Sequence, residues 1–202
     1  PMGLDTKEDV MIRQPYGSIT VLKYADGRLS VTAAGKLPED SPTDDEIEEL
    51  WDLCKTPEDV RHHCYAVCGE ALEIREQLKN VGLFLSRGQL RAASLLHDMC
   101  RADGKIHPEK AAKIIRERGY LKVARAIKLH HGGDFDENIN EAQVLYLADK
   151  RIDGKKRVTI QERFEASLKK CTTEEAKRQH AARYQEALHI EKKINEKLKE
   201  TI

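Results

Sequence analysis

Apolar positions along this chain follow two different periods. Over residues 10–33 they alternate, with Ser18-Ile19-Thr20-Val21-Leu22-Lys23-Tyr24 and Arg28-Leu29-Ser30-Val31-Thr32 flanking Ala25-Asp26-Gly27. Two β-branched runs around Asp-Gly predict a β-hairpin. A lone hairpin is marginal in water, so this one needs helices or a second chain to pack on. Residues 34–42, with Gly35, two prolines and Ser41, read as a linker.

From Thr43 on, spacings of three and four take over and helix starts recur. Thr43-Asp44-Asp45-Glu46 is a capping-box pattern ahead of Ile47, Leu50, Trp51 and Cys54. Thr56-Pro57-Glu58-Asp59 opens the next helix, with proline at its first position. That helix carries Val60, His63, Val67, Ile74 and Leu78 on one face, so His63 faces the core. Ser86-Arg87-Gly88-Gln89 opens a third, with Leu90, Ala93, His97 and Cys100 along one stripe. A short helix runs from His107-Pro108 to near Gly119, and another from Tyr120 to His131, stopped by Gly132-Gly133. Asn140 to Ile152 follows, then Thr159-Ile160-Gln161-Glu162 leading into Phe164 and Leu168. The last element starts at Thr172-Thr173-Glu174-Glu175 and bears a narrow stripe of Tyr184, Ala187, Ile190, Ile194, Leu198 and Ile202. Such a stripe suits docking on the body or pairing with a second subunit. The expected fold is therefore all-α, with five or more helices and a small N-terminal β-hairpin beside them. Residues 1–42 form the hairpin and linker, 43–171 the helical domain, and 172–202 a charged C-terminal helix.

Composition narrows the function classes. Charged residues make up 35% of the 202 and aromatics 5%, which favours a helical cytoplasmic protein. Lys+Arg and Asp+Glu balance at 35 each, so no global field recruits nucleic acid or a membrane. No apolar run approaches a membrane span, and no signal-peptide pattern opens the chain. Five cysteines without a C-x-x-C pair read as reduced thiols. Cys64 and Cys68, one helical turn apart, either pack the core or grip a metal, with packing the commoner role.

Chemistry concentrates on the apolar faces. Leu95-Leu96-His97-Asp98-Met99 places a histidine and an aspartate at the close of an apolar run. His63 and His130 fall on or next to other apolar stripes, and Asp149 lies between Leu145 and Ile152. Burying an unpaired carboxylate costs several kcal/mol. A cation removes that conflict, because it binds both carboxylates and neutral imidazoles. Neighbours on a helix point about 100° apart. His97 and Asp98 must therefore sit at a helix end to share one ion, and Cys100-Arg101-Ala102-Asp103-Gly104 reads as that end.

The segments Arg61-His62-His63-Cys64-Tyr65-Ala66-Val67, Leu95-Leu96-His97-Asp98 and Leu145-Tyr146-Leu147-Ala148-Asp149-Lys150 resemble the HD superfamily of metal-dependent phosphohydrolases. The likeness runs over residues 57–165. It implies that His63, His97, Asp98 and Asp149 are the core metal ligands, with His62 turned to solvent. It also implies that His107 and His130 are the additional ligands of members holding two metals. Local alternatives are an N-cap role for His107 and a solvated helix end for His131. Ala126-Ile127-Lys128-Leu129-His130 is similar to the diadenosine-tetraphosphate hydrolases of this superfamily. No Gly-Tyr-Pro follows His131, unlike the cyclic-dinucleotide phosphodiesterases. Where many relatives carry a lysine three residues after the HD aspartate, this chain has Arg101.

The resemblance implies hydrolysis of a nucleotide or another phosphate ester or anhydride by metal-activated water. Asp98 would then be catalytic, and Arg101 catalytic and substrate-binding by clamping a phosphate. Arg101 would serve equally as a charge at a helix C-terminus. Lys150 would bind substrate, or else lie along a helix surface with its head in water. One or two divalent ions are implied, iron or manganese first, with zinc, magnesium or nickel behind them. Two other functions use the same residues: a di-iron oxygenase, and a non-catalytic nucleotide-sensing module. The partners expected are a small phosphorylated substrate and a second copy, joined through the hairpin or the C-terminal helix.

Overall fold

The computed structural model describes residues 2–3, 19–25, 27–36 and 40–200. Two compact units divide the chain, residues 1–40 and 41–202. The first holds an antiparallel sheet of β1 (Met2–Gly3), β2 (Ile19–Ala25) and β3 (Arg28–Lys36), in the order β1-β3-β2. Ala25 pairs with Arg28, the register that the Asp-Gly signal predicts. β3 runs on through Gly35 to Lys36, so the linker expected from residue 34 starts later. Ladder bonds to β2 out to Ile19 hold this weak strand-forming stretch, with register shifts between Ile19 and Leu22. At two residues, β1 is too short to leave a periodic signal.

The second unit contains eight α-helices among the described residues: α1 (Asp44–Leu53), α2 (Glu58–Asn80), α3 (Arg87–Leu96), α4 (His107–Glu117), α5 (Leu121–Leu129), α6 (Glu141–Lys150), α7 (Ile160–Leu168) and α8 (Glu174–Lys199). A 3₁₀ turn, Arg101–Ile106, leads into α4, and a small antiparallel hairpin, β4 (Ile152–Asp153) and β5 (Lys156–Arg157), follows α6. The capping box predicted at Thr43–Glu46 forms, and the helix start at Thr159 proves to be a second one, closed by Glu162. Pro57 is the N-cap of α2, one position earlier than expected. α5 closes before His130, which is its C-cap. α6 ends at Lys150, and Ile152 begins β4 instead of finishing the helix.

α6 is the central rod. Every residue from Ala142 to Lys150 is buried, which is why its sequence shows no polar face. It packs on α2, α3, α5 and α8. Trp51, Leu90, Leu96, Ile115, Ile127 and Tyr146 fill the space between these helices. α8 docks its narrow stripe on this body through Ala187, Ile190 and Ile194, and the Tyr146 hydroxyl donates to the Arg183 carbonyl at 2.9 Å. Burying the two isoleucines contributes on the order of 3–6 kcal/mol. Ile202, the last residue of the stripe, lies outside the described residues. All five cysteines are free, with Cys64 and Cys68 in the core. No described helix is long and apolar enough to cross a membrane.

Candidate metal centre

α3 stops at Leu96, and the chain tightens into i+3 bonds: Met99 N–H donates to the Leu96 carbonyl and Arg101 N–H to that of Asp98. Ending the helix there turns adjacent residues toward one point, which a continuing helix forbids. Two buried side chains hold the turn: Trp51 Nε1 donates to the Leu95 carbonyl at 3.0 Å and Thr56 Oγ1 to that of Met99 at 2.8 Å.

Four imidazoles then meet two carboxylates. His63 Nε2 stands 3.2 Å from Asp149 Oδ1, and His97 Nε2 stands 3.7 Å from the same oxygen and from Asp98 Oδ2. His107 Nε2 lies 2.9 Å and His130 Nε2 3.4 Å from Asp98 Oδ1, and those two nitrogens are 3.2 Å apart. Two clusters result, His63-His97-Asp98 and Asp98-His107-His130-His131, each within 4.8 Å and sharing Asp98. Asp149 closes the first cluster through its oxygen on His63 and His97. Every sequence-predicted ligand is thus in one place. His63 sits at the rim, half-buried, whereas its helical stripe had it facing the core.

The second ring nitrogens decide the chemistry. His97, His107 and His130 each donate Nδ1–H to the carbonyl three residues back: Ser94 at 2.8 Å, Gly104 at 2.5 Å and Ile127 at 2.7 Å. Two of these histidines cap helix C-termini, where carbonyls lack helical partners. The third follows Gly104, whose φ of +65° lets the 3₁₀ turn present its carbonyl. His63 donates Nδ1–H to the Gly154 carbonyl at 2.9 Å. A carbonyl only accepts, so Nδ1 carries a proton in all four rings, and a ring that holds no second proton offers the Nε2 lone pair to the centre. Lone pairs facing carboxylate oxygens at 2.9–3.7 Å repel unless a proton or a metal ion lies among them. Buried His97 Nε2 and Asp98 Oδ1 have no hydrogen-bonding partner. Ligand atoms about 2.0–2.2 Å from one ion are roughly 2.8–3.5 Å from each other. The residues therefore fit a divalent cation, and the fixed tautomers are those a metal requires.

Electrostatics set which of these groups carry charge. Burial opposes charge on Asp98, but His97, His107 and His130 outweigh it and hold its carboxyl far below the usual range. Burial opposes charge on Asp149 too, and Lys150, His63 and His97 overcome it. Both groups stay anionic. Burial lowers His130, and it drives His131 down to about 2, so both rings stay neutral. Burial also disfavours charge on His97, yet Cys64, Asp98 and Asp149 raise its pKa well above normal. A proton on His97 Nε2 balances these carboxylates, and a metal ion at the same nitrogen would replace it.

Of the remaining sequence candidates, Arg101 is half-exposed, with Nη1 2.7 Å from Asp98 Oδ2. Lys150 does not lie along the surface. Its buried ammonium donates to Asp149 Oδ2 at 2.7 Å and to the His130 carbonyl at 3.0 Å, behind the ligands. His62 points to solvent beside Glu58. Cys64 Sγ approaches His97 Nδ1 at 3.8 Å from the core side, and neither Cys64 nor Cys68 joins a ligand cluster. Sequence reasoning had left His131 open, and its ring lies 4.2 Å from that of His130. The orienting carbonyls were invisible, although Asp103-Gly104 and Asp153-Gly154 are turn signals that mark two of them.

Residues 60–152 match the HD-domain family. The chain belongs to the HD-domain superfamily, whose members are metal-dependent hydrolases. An uncharacterized protein of Methanocaldococcus jannaschii is 32% identical over 142 residues, covering 60% of this chain and 83% of the relative. No solved structure matches at comparable significance. The HD domain matched spans α2 to β4, so it supplies every ligand named above.

Proposed function

We propose that this HD domain hydrolyses a phosphate ester or anhydride of a small phosphorylated substrate, a nucleotide by preference. We assign His63, His97, Asp98 and Asp149 to one divalent ion and Asp98, His107 and His130 to a second. What carries the reading is the set of four imidazoles, each with Nδ1–H held by a carbonyl and Nε2 aimed, together with two buried carboxylates, at one centre. A bound ion would supply Lewis acidity and an activated water. Asp98 turns Oδ1 to the second cluster and Oδ2 to the first, so one carboxylate serves both. Arg101 reaches solvent beside Asp98, and its unpaired guanidinium edge is placed to take two oxygens of a phosphoryl group. The charge of Lys150 reaches the site through Asp149. Imidazole-rich donors favour iron or manganese, and a chain of zero net charge suits a small substrate over nucleic acid.

The test is metal analysis of the purified chain with a screen of phosphorylated metabolites. Phosphate release that a chelator stops, Mn²⁺ restores and Asp98→Ala abolishes is the expected result. A metal-free wild type overturns the assignment. Oxygen consumption by the iron-loaded protein, without phosphate release, would move the reading to an oxygenase.

A further inference from the structure

His63 differs from the other three imidazoles. It lies inside α2, where the neighbouring carbonyls already accept helical bonds. Its Nδ1–H must find a carbonyl on another element, and finds that of Gly154 in the turn of the β4–β5 hairpin. This turn has φ of +61° at Gly154, in the left-handed region that suits glycine. Only Ile152↔Arg157 and Asp153↔Lys156 pair across the hairpin. Strands of two residues do not hold themselves in place.

Glu70 holds them. It stands seven residues after His63, two turns along the same face of α2, with 3% of its side chain exposed. Arg157 of β5 places Nε 3.0 Å from its Oε2 and Nη2 3.2 Å from its Oε1. Arg151 Nη1 reaches the same Oε1 at 3.2 Å while its Nη2 holds Glu191 of α8 at 2.8 Å. A buried ion pair is a weak source of stability compared with apolar packing, and its better use is to specify geometry. Here the geometry specified is the position of the Gly154 carbonyl.

We propose that Glu70 and Arg157 are positioning residues of the first metal cluster: they pin the β4–β5 hairpin to α2 so that Gly154 selects the Nδ1–H tautomer of His63 and leaves Nε2 facing Asp149. The proposal rests on the metal-centre reading above for its consequence, but not for its geometry. Outer partners of metal ligands typically change affinity by about 10–100-fold.

The test uses the full chain. Long-range ¹⁵N–¹H imidazole spectra of the metal-free protein, at about pH 8 where free histidines are neutral, report each ring's tautomer. Arg157→Gln and Glu70→Gln should convert His63 from a single Nδ1–H form to a mixture, leaving His97, His107 and His130 as they were. Titration with Mn²⁺ should show one binding event weakened about 10–100-fold and the other retained. Arg157 is more than half exposed, so its variant keeps the test decisive if Glu70→Gln does not fold. Glu73 meets the same guanidinium at the surface, at 3.3 Å, and Glu73→Gln should leave both readouts alone. An unchanged His63 tautomer in Arg157→Gln, or an equal change in Glu73→Gln, overturns the proposal. A wild type that binds no Mn²⁺ overturns the metal-centre reading instead, and the tautomer comparison still decides the role of the clamp.

Discussion

Asp98→Asn is the sharpest probe of the centre, because structure sets opposite signs for the metal-bound and metal-free protein. The ligands come from α2, the end of α3, the starts or ends of α4 and α5, and α6, so unfolding must release any bound ion. At a free metal concentration about a thousandfold above Kd, binding adds about 4 kcal/mol to stability. For a domain of this size each kcal/mol moves Tm by about 2–4 °C, so wild type should gain about 8–16 °C with Mn²⁺. The asparagine variant should lose nearly all of that gain, since the one carboxylate shared by both clusters is gone. Metal-free, the variant behaves differently. Its amide can donate to the His107 lone pair now 2.9 Å from a carboxylate oxygen, a bond worth about 1 kcal/mol. Against this stands the loss of the Arg101 contact, which is half-exposed and worth about 0–1 kcal/mol. Metal-free Asp98→Asn should therefore melt at or slightly above wild type at a pH high enough that His97, whose pKa Asp98 helps to raise, is neutral as well. Thermal melts with chelator and with Mn²⁺ read both signs. If the metal-free variant melts several degrees lower, the carboxylate is already paired with imidazolium, and the argument from facing lone pairs is wrong.

Arg101→Ala should keep the metal content and lose about 1.5–3 kcal/mol of transition-state binding, roughly 10–100-fold in kcat/KM; equal loss of metal would remove Arg101 from the substrate side. Thr56→Val keeps the shape of a buried residue but strands the Met99 carbonyl. It should cost about 1–3 kcal/mol and weaken Mn²⁺ binding as well, and a melt indistinguishable from wild type would show the turn holds itself. Glu46 has its pKa lowered by the Thr43 backbone N–H and by Tyr120, against burial. A carboxyl depressed in the folded state stabilises above its unfolded pKa, about 4.3, and that contribution is lost as pH falls through the folded value. Tyr120→Phe should accordingly lower Tm more at neutral pH than at about pH 3, and an equal loss at both would separate Tyr120 from the ionisation of Glu46.

Local chemistry wrote much of this protein into its sequence. Capping boxes at Thr43 and Thr159, the N-cap at Ser86 and the Asp-Gly hairpin depend on groups a few residues apart, so they are legible without a fold. Burial of His97, His130 and Asp149 followed from apolar periodicity, and the cost of burying an unpaired carboxylate made a cation the economical reading. What the chain alone left open depends on pairs far apart in sequence. Whether the α8 stripe meets this body or another chain is decided by Tyr146 and the core it closes. Lys150 reads as a substrate-binding or a surface cation until α5 brings the His130 carbonyl within 3.0 Å. His63 is one nitrogen short of a ligand until a carbonyl 91 residues away fixes its proton. Residue types choose which atoms can bind a metal, but orienting a ring takes a second partner, and only tertiary packing brings that partner to it.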